Sequence, residues 1–414
     1  MIHPVCVIGG GASGLTAAVA AARALGEPGV VVLERLPRAG KKLLSTGSGR
    51  CNLSHREAGD PARYHSAESP ATGGAETVAR VLGRFGVRET LDFFEDIGIP
   101  VREDGRGRLY PYSLQAGAVV DALRFEAARL GAEIRPDTPV RRLAREGGVY
   151  RAGEVLARRV IVAAGGMASP SLGSDGSGYA LLEGFGHTRT AVFAGLTQLT
   201  AGREAIPGLD GIRVEAGATL RIRGRAAASA RDELLFTAYG LSGPLALSLS
   251  RSVSALGGEM SDVVLEADLL PDMDAAALAA RLAERAEKRP EWPLENLFLG
   301  LLHKRAGLAV LRAAGLSPAA LCGGLDGGGA RRLASAVKAY RIPLTGTRGF
   351  GEAQVTCGGV RPGEFDPGTL ESRLSPGLYA CGEILDVDGS CGGFNLQWAW
   401  SSGWVAGTSA GRGA

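Results

Sequence analysis

Near the N-terminus, "PVCVIGGGASGLTAAVAAARAL" sets Gly9-x-Gly11-x-x-Gly14 between a short apolar run, Val5–Ile8, and an alanine-rich stretch. A second apolar run, Val30–Leu33, ends in Glu34, 20 residues beyond Gly14. In a strand–helix–strand unit each of these residues has a task. Gly9 makes the turn, Gly11 admits a pyrophosphate, and Gly14 lets helix and strand pack closely. The helix start, with Ala12 and Ser13 in its first turn, offers unpaired N–H groups to phosphates. Glu34 accepts from a ribose hydroxyl, and Arg35 follows it at the same strand end. An acid there argues against a ribose 2′-phosphate, which leaves NAD or the ADP half of FAD.

A second group of residues decides between the two. "GLYACGEILDVDGSCGGFNLQWAWSSG", Gly377 to Gly403, combines a short apolar run, a Gly-acid pair, a loop with Asp386 and Asp388, and a helix opening at Gly392-Gly393. A carboxylate at Gly382-Glu383 suits a ribityl chain. A helix start at Gly393, with Asn395 and Leu396 in its first turn, suits the negative charge of a reduced flavin's N1–C2=O edge. Trp398 and Trp404 read as core. The glycine fingerprint occurs once, so FAD, held non-covalently, is the resident dinucleotide.

Two further segments are placed to line that cofactor. "STGSGRCNLS" (Ser45 to Ser54) has Gly47 and Gly49 for close backbone approach, Cys51 between them and Leu53, and Lys42, Arg50 and Asn52 as side-chain donors. "RRVIVAAGG" (Arg158 to Gly166) reads as a buried strand whose small end, Ala164-Gly165, lets backbone pass the cofactor. "VRRL" (Val140 to Leu143) reads as an edge strand along the adenine.

The elements that must hold these groups follow from composition and pattern. The chain has 414 residues, 45% apolar and 21% charged, with 63 glycines and a formal charge of +3. That length calls for two or three domains. The arginines are dispersed, so no basic tail marks a nucleic-acid footprint. Cys6, Cys51, Cys322, Cys357, Cys381 and Cys391 form no CxxC pair, and the five His residues are scattered, which favours a reducing, cytoplasmic setting and no metal site. No apolar stretch reaches the ~18 residues of a membrane span. After Thr190 short β-rich runs appear, such as Ala218 to Ala226 and Asp262 to Leu270; Asp274 to Arg289 and Arg331 to Tyr340 have helical spacing.

With "GKKLLSTGSGRCNLS", "GRLYPYSLQAGAVVDAL", "LLFTAYGLSGPLALSLS", "EAQVTCGGV" and the closing "GEILDVDGSCGGFNLQWAWSSGWVAG", the chain resembles the YhiN/BaiN-like family of bacterial FAD-dependent oxidoreductases over nearly its whole length. The resemblance implies an α/β fold: a Rossmann-like FAD-binding domain of the two-dinucleotide-fold flavoprotein type, with an inserted β-barrel-like part and a small helical part. The bounds it suggests are 1–190 plus 350–414 for the FAD domain, 191–270 plus 341–349 for the β-rich part, and 271–340 for the helical part.

The chemistry then expected is hydride transfer through flavin N5, from NAD(P)H to an activated C=C bond in a small-molecule or nucleobase acceptor. Arg50 is the preferred electrostatic residue. Cys357 joins it as a candidate catalytic group, beside Tyr110, Tyr112, His187 and Tyr239 as candidate proton donors. Oxidation of an amine or amino-ketone is the alternative reaction. A different class, an RNA-binding or assembly factor with structural FAD, would require a basic groove built from Arg203, Arg213, Arg221, Arg223, Arg225 and Arg231.

Overall fold

The apolar run before the first glycine becomes β1 (Ile2–Ile8), buried from Val5 onward. β1 is longer at its start than the Val5–Ile8 read from the apolar run alone. It lies parallel between β2 (Val30–Leu33) and the strand Val155–Val162. Glu133–Arg135 adds a further parallel strand outside β2. All four residues of β2 are buried, as expected of a strand covered on both faces. The computed structural model describes residues 1–67 and 73–413.

The strand Val155–Val162 serves two partners. Its first half turns back into the antiparallel strands Val149–Ala152 and Leu143–Glu146. Its second half pairs in parallel with Leu378–Ala380, Val160 opposite Leu378. The chain therefore returns to its first sheet near its end. The edge strand begins only at Leu143; Val140–Arg142 run up to it without joining the ladder.

A spacing of four fixes the second tie between the chain's ends. α1 (Ala12–Leu25) carries Ser13, Ala17 and Ala21 on one face, and the C-terminal helix Phe394–Arg412 carries Gly403, Gly407 and Gly411 on one of its own. A Cβ on those glycines would meet Ser13 O at 2.4 Å, Ala17 O at 2.3 Å and Ala21 O at 2.6 Å. Only glycine lets the two backbones approach so closely. Gly382, too, lies against Ser13 at the start of α1.

By internal packing the chain forms two units, Met1–Ala194 with Gln354–Ala414, and Gly195–Ala353. The second unit holds a closed antiparallel barrel of six strands: Leu199–Ala201, Gly240–Ser242, Arg225–Thr237, Arg213–Ile222, Val263–Asp268 and Tyr340–Thr347. Three of its helices, Ala275–Lys288, Lys304–Ala313 and Gly327–Lys338, share one core with the barrel, through residues such as Leu282, Val310 and Leu333 against Leu265 and Ile342. Asp274 and Asp326 cap two of them, accepting from Ala277 N at 2.7 Å and Gly329 N at 2.6 Å. No helix among the described residues is long and apolar enough to cross a membrane.

In the first unit His187 is a buried fastener. Its Nδ1 lies 2.9 Å from Glu364 Oε2 and its Nε2 2.8 Å from Ser372 Oγ. Ser372 Oγ also accepts from Leu374 N and Ser375 N. The serine proton is thus directed to Nε2, and Nδ1–H to the carboxylate. Burial, opposed by Glu364, holds the imidazole below its ordinary value of 6.5. The unfolded chain therefore binds this proton more readily than the folded one. Stability should be steady above pH 6.5 and fall as pH drops through that value toward the lower folded pKa. Urea melts across that range check it; His187→Phe, which keeps the stacking on Phe365, should lose this slope.

Candidate functional site

The first glycines create an opening bounded by backbone. Gly9 has φ +106°, and a Cβ there would meet Ala163 O at 2.5 Å. A Cβ on Gly14 would lie 1.9 Å from Gly9 O. At Gly11, by contrast, nothing stands within 4 Å of the added atom. The start of α1 has no side-chain cap and no acid in its first turn. Its first N–H groups have no partner within the helix and face the opening with the positive end of the helix dipole.

Glu34, 7% exposed, does more than wait for a ribose. Its Oε2 accepts from Gly10 N and its Oε1 from Leu36 N, each at 2.8 Å. The carboxylate thereby ties the phosphate turn to the end of β2, with lone pairs left for a hydroxyl. Glu34→Ala should therefore cost stability as well as cofactor: about 1–3 kcal/mol from the stranded Gly10 N, with FAD affinity about ten- to hundredfold weaker. Parallel urea melts and flavin titrations measure the two losses separately. Arg35 points elsewhere, into an ion pair with Asp175.

Glu383 is a junction for four separated segments. It follows Gly382, whose φ of +79° and closeness to Ser13 admit no side chain. Glu383 Oε2 pairs with Lys42 Nζ at 2.9 Å, and Oε1 accepts from Thr356 N at 3.0 Å. Thr356 Oγ1 in turn accepts from Met167 N at 2.7 Å and Ala168 N at 3.0 Å. The strand end Ala164-Gly165-Gly166 is drawn into the same group, since a Cβ on Gly166 would lie 2.4 Å from Thr356 Oγ1. Gly165 has φ +72° beside Ser174.

The C-terminal helix holds the other side. Gly393, φ +108°, packs so closely on Ser54 that a Cβ would lie 2.4 Å from its carbonyl oxygen. Trp400 Nε1 donates to Leu53 O, Trp398 Nε1 donates to Gly382 O, and Ser54 Oγ donates to Gln397 Oε1. Trp398 is buried, as read, and Trp404 is part-buried against the same core; Trp400 is buried too, and the indole N–H groups of Trp398 and Trp400 also anchor both cofactor-side loops. Asn395 is committed: its Oδ1 accepts from Gly389 N and its Nδ2 donates to Gly389 O, both at 2.8 Å. It shapes the loop around Asp388, which is 3% exposed. Donors at this helix end are therefore the backbone N–H groups. Leu396 is part-buried against the core, as is Val140.

The loop from Lys42 to Asn52 is strained in a patterned way. Gly47, Ser48, Gly49 and Cys51 have φ of 56°, 58°, 83° and 57°. Left-handed Ser and Cys persist only where the surroundings impose them, commonly at ligand sites. Cys51 is buried, its thiol pushed up to about 12 by burial. Gly49 opens onto free space. Arg50 is exposed, with Nε donating to Gly47 O and its guanidinium 5.4 Å from the centre of the Tyr110 ring. Asn52 Oδ1 is buried without a hydrogen-bond partner.

The two candidate catalytic residues differ in access. Arg50 stands in solvent, whereas Cys357 is 1% exposed on the strand Val355–Cys357. Among the candidate proton donors, His187 has both ring nitrogens engaged, and Tyr239 in the second unit lies under Arg348. The arginines expected of a basic groove are largely neutralised. Arg213, Arg221, Arg223 and Arg231 pair with Glu233, Glu266, Glu259 and Asp272.

Met167 and Gln397 carry no motif, and Thr356, which opens the Gly-Gly segment Thr356 to Val360 expected at the flavin, gives no sign in the sequence of its part as a fastener. In "TCGGV" attention falls on the cysteine because it is reactive. Strand alternation puts its neighbour on the opposite face, and that neighbour is Thr356. An open Gly11 and two helix starts without side-chain caps together fit a flavin dinucleotide.

A profile for the family described as HI0933-like protein Rossmann domain matches residues 3–409. The chain is 39% identical over 408 residues to a 3-dehydro-bile acid delta(4,6)-reductase from Clostridium scindens, covering 98% of both proteins. It is 31% identical over 405 residues to a ribosomal RNA dihydrouridine synthase from Escherichia coli, covering 96% of both. Among solved structures, a 3-ketosteroid-delta4-(5alpha)-dehydrogenase from Rhodococcus jostii RHA1 matches with a TM-score of 0.50 and 18% identity, over 98% of this chain and 96% of that one. That likeness speaks to fold alone.

Proposed function

This chain belongs to the HI0933-like family of FAD-dependent oxidoreductases, and from that premise we propose that it uses NAD(P)H to saturate an activated C=C bond in a small-molecule acceptor. The observation that carries the reading is the full-length relative at 39% identity, whose name is that of a double-bond reductase. A second relative is named for making dihydrouridine, which is also the saturation of a carbon–carbon double bond. The acid-paired arginines of the barrel favour a small molecule over RNA as acceptor, because little unbalanced positive charge is left to meet phosphates.

In this reading Gly9, Gly11, Gly14 and the start of α1 hold the pyrophosphate, and Glu34 holds the ribose. Lys42 and Thr356 fix the Glu383 carboxylate for the ribityl hydroxyls. Bound FAD supplies a two-electron carrier that accepts a hydride from one substrate and delivers it to another. Arg50 places a cation where negative charge gathers during that delivery, and the Tyr110 ring and Gly47 O hold it there. Arg50→Ala should keep FAD and slow acceptor turnover more than about tenfold, a loss of roughly 1.4 kcal/mol at the transition state.

Anaerobic titration of the purified protein with NADH and NADPH tests the donor half. Stoichiometric bleaching of the flavin by one of them is expected. Bleaching by neither, with bleaching by an amine or amino-ketone instead, would replace this reading with the oxidase.

A further inference from the structure

The tyrosines of the first unit differ in what their hydroxyls do. Tyr64 donates to Ala58 O and Tyr150 to Pro376 O, each at 2.8 Å. Tyr379 is hydrogen-bonded to Glu371, and the Tyr179 hydroxyl is sealed in the core. Tyr112 is 65% exposed. Tyr110 is of another kind. Its side chain belongs to a residue only 6% exposed, yet its hydroxyl has no hydrogen-bond partner among the described residues and is not sealed from solvent. A buried tyrosine ordinarily satisfies its O–H within the protein. Here the ring is held and the O–H is left for water or for a bound molecule.

What holds the ring is the wall of the candidate site. Tyr110 stands on the strand Arg108–Pro111, where Leu109 pairs with Ser54, the residue packed against Gly393 at the start of the C-terminal helix. A Cβ on Gly47 would lie 3.5 Å from Tyr110 Cε1, and the Arg50 guanidinium lies over the ring, 5.4 Å from its centre. The loop that carries Arg50 and the strand that carries Tyr110 thus present a cation and an open O–H side by side.

Resting on the reading of this site as that of an FAD-dependent double-bond reductase, we propose that Tyr110 is the catalytic acid that protonates the acceptor. Saturation of an activated C=C bond adds a hydride to one carbon and a proton to its neighbour. The hydride, given up as the reduced cofactor is oxidised, forms the C–H bond at the carbon β to the activating carbonyl. The π pair passes through the enolate, and the α-carbon takes the proton of Tyr110 O–H as the second C–H bond forms. The tyrosinate left behind lies beside the Arg50 guanidinium and regains its proton from water through the same opening. The other candidate acids of this unit are worse placed. His187 has both ring nitrogens engaged and Cys357 is 1% exposed.

The test compares full-length FAD-loaded protein with its Tyr110→Phe variant, which keeps the ring under Arg50. Each is reduced anaerobically with stoichiometric dithionite, then mixed with small α,β-unsaturated ketones or with ferricyanide, which takes electrons and needs no proton donor. Reoxidation of the variant by the ketones should be about 10²–10⁴-fold slower than that of native protein. Reoxidation by ferricyanide should keep the native rate. O-acetylation by N-acetylimidazole, mapped by mass spectrometry, reads the geometry without turnover. Tyr110 and Tyr112 should be modified, and Tyr64 and Tyr179 spared. Native-rate reoxidation of the variant by the ketones overturns the assignment. Equal slowing with ferricyanide also overturns it, because Tyr110 would then merely support the cofactor. So does a Tyr110 that the reagent spares. Native protein that ferricyanide reoxidises and no ketone does defeats the double-bond reading itself, and shows this before the variant is used.

Discussion

Gly11→Val should give a folded, colourless protein. Nothing in the chain lies within 4 Å of a Cβ at Gly11, whose φ of −79° suits any residue. The valine therefore meets no protein atom, and its methyl groups fill the space that the pyrophosphate requires. Unfolding by urea should stay close to native apoprotein, while FAD binding is abolished. Gly14→Ala is the contrasting case, because its Cβ would fall 1.9 Å from Gly9 O. That variant should fail to fold. Circular dichroism with flavin absorbance separates the two: bound FAD in Gly11→Val would remove the pyrophosphate from this loop.

Thr356→Val should be among the most damaging substitutions of nearly equal volume. Its hydroxyl is the shared acceptor for Met167 N and Ala168 N, and the residue is 1% exposed. A methyl group in its place strands two backbone donors, at a cost of about 2–4 kcal/mol. The turn after the strand Val155–Val162 would loosen, and with it the grip on Glu383. Urea melts should show the stability loss, and flavin titration a weaker cofactor. Thr356→Ser, which keeps the oxygen, should recover most of both. If Val and Ser behave alike, the hydroxyl is not the fastener.

These two residues also mark what the sequence discloses. Gly9, Gly11, Gly14 and Glu34 are legible because their tasks are all met within one strand–helix–strand unit, where spacing along the chain is spacing in space. The return of the chain to its first sheet was legible from motifs at both ends. The Glu383 junction was not. Its contacts join residues 341 and 27 positions apart, and no local pattern announces such a pair. Glu34 was recognised as an acceptor for a ligand, but its backbone partners Gly10 and Leu36 depend on how the turn closes. Gly403, Gly407 and Gly411 recur every four residues along the C-terminal helix, a spacing that carries no message by itself. Their meaning needed the matching face of Ser13, Ala17 and Ala21 at the other end of the chain. Val140 shows the opposite error: an apolar residue before two arginines resembles a strand start, yet the ladder begins three residues later.

The most direct measurement is a single turnover of the reduced protein. FAD-loaded protein reduced anaerobically with dithionite is mixed with a panel of small α,β-unsaturated carbonyl compounds, and separately with a uridine-containing ribosomal RNA fragment. Rapid reoxidation of the flavin by a member of the small-molecule panel is expected, with a product heavier by two hydrogens, and no reoxidation by RNA above the buffer blank. Reoxidation by the RNA fragment alone, with dihydrouridine as product, would contradict the small-molecule assignment. Reoxidation by neither, in protein that carries FAD, would contradict double-bond reduction on both of these acceptor types.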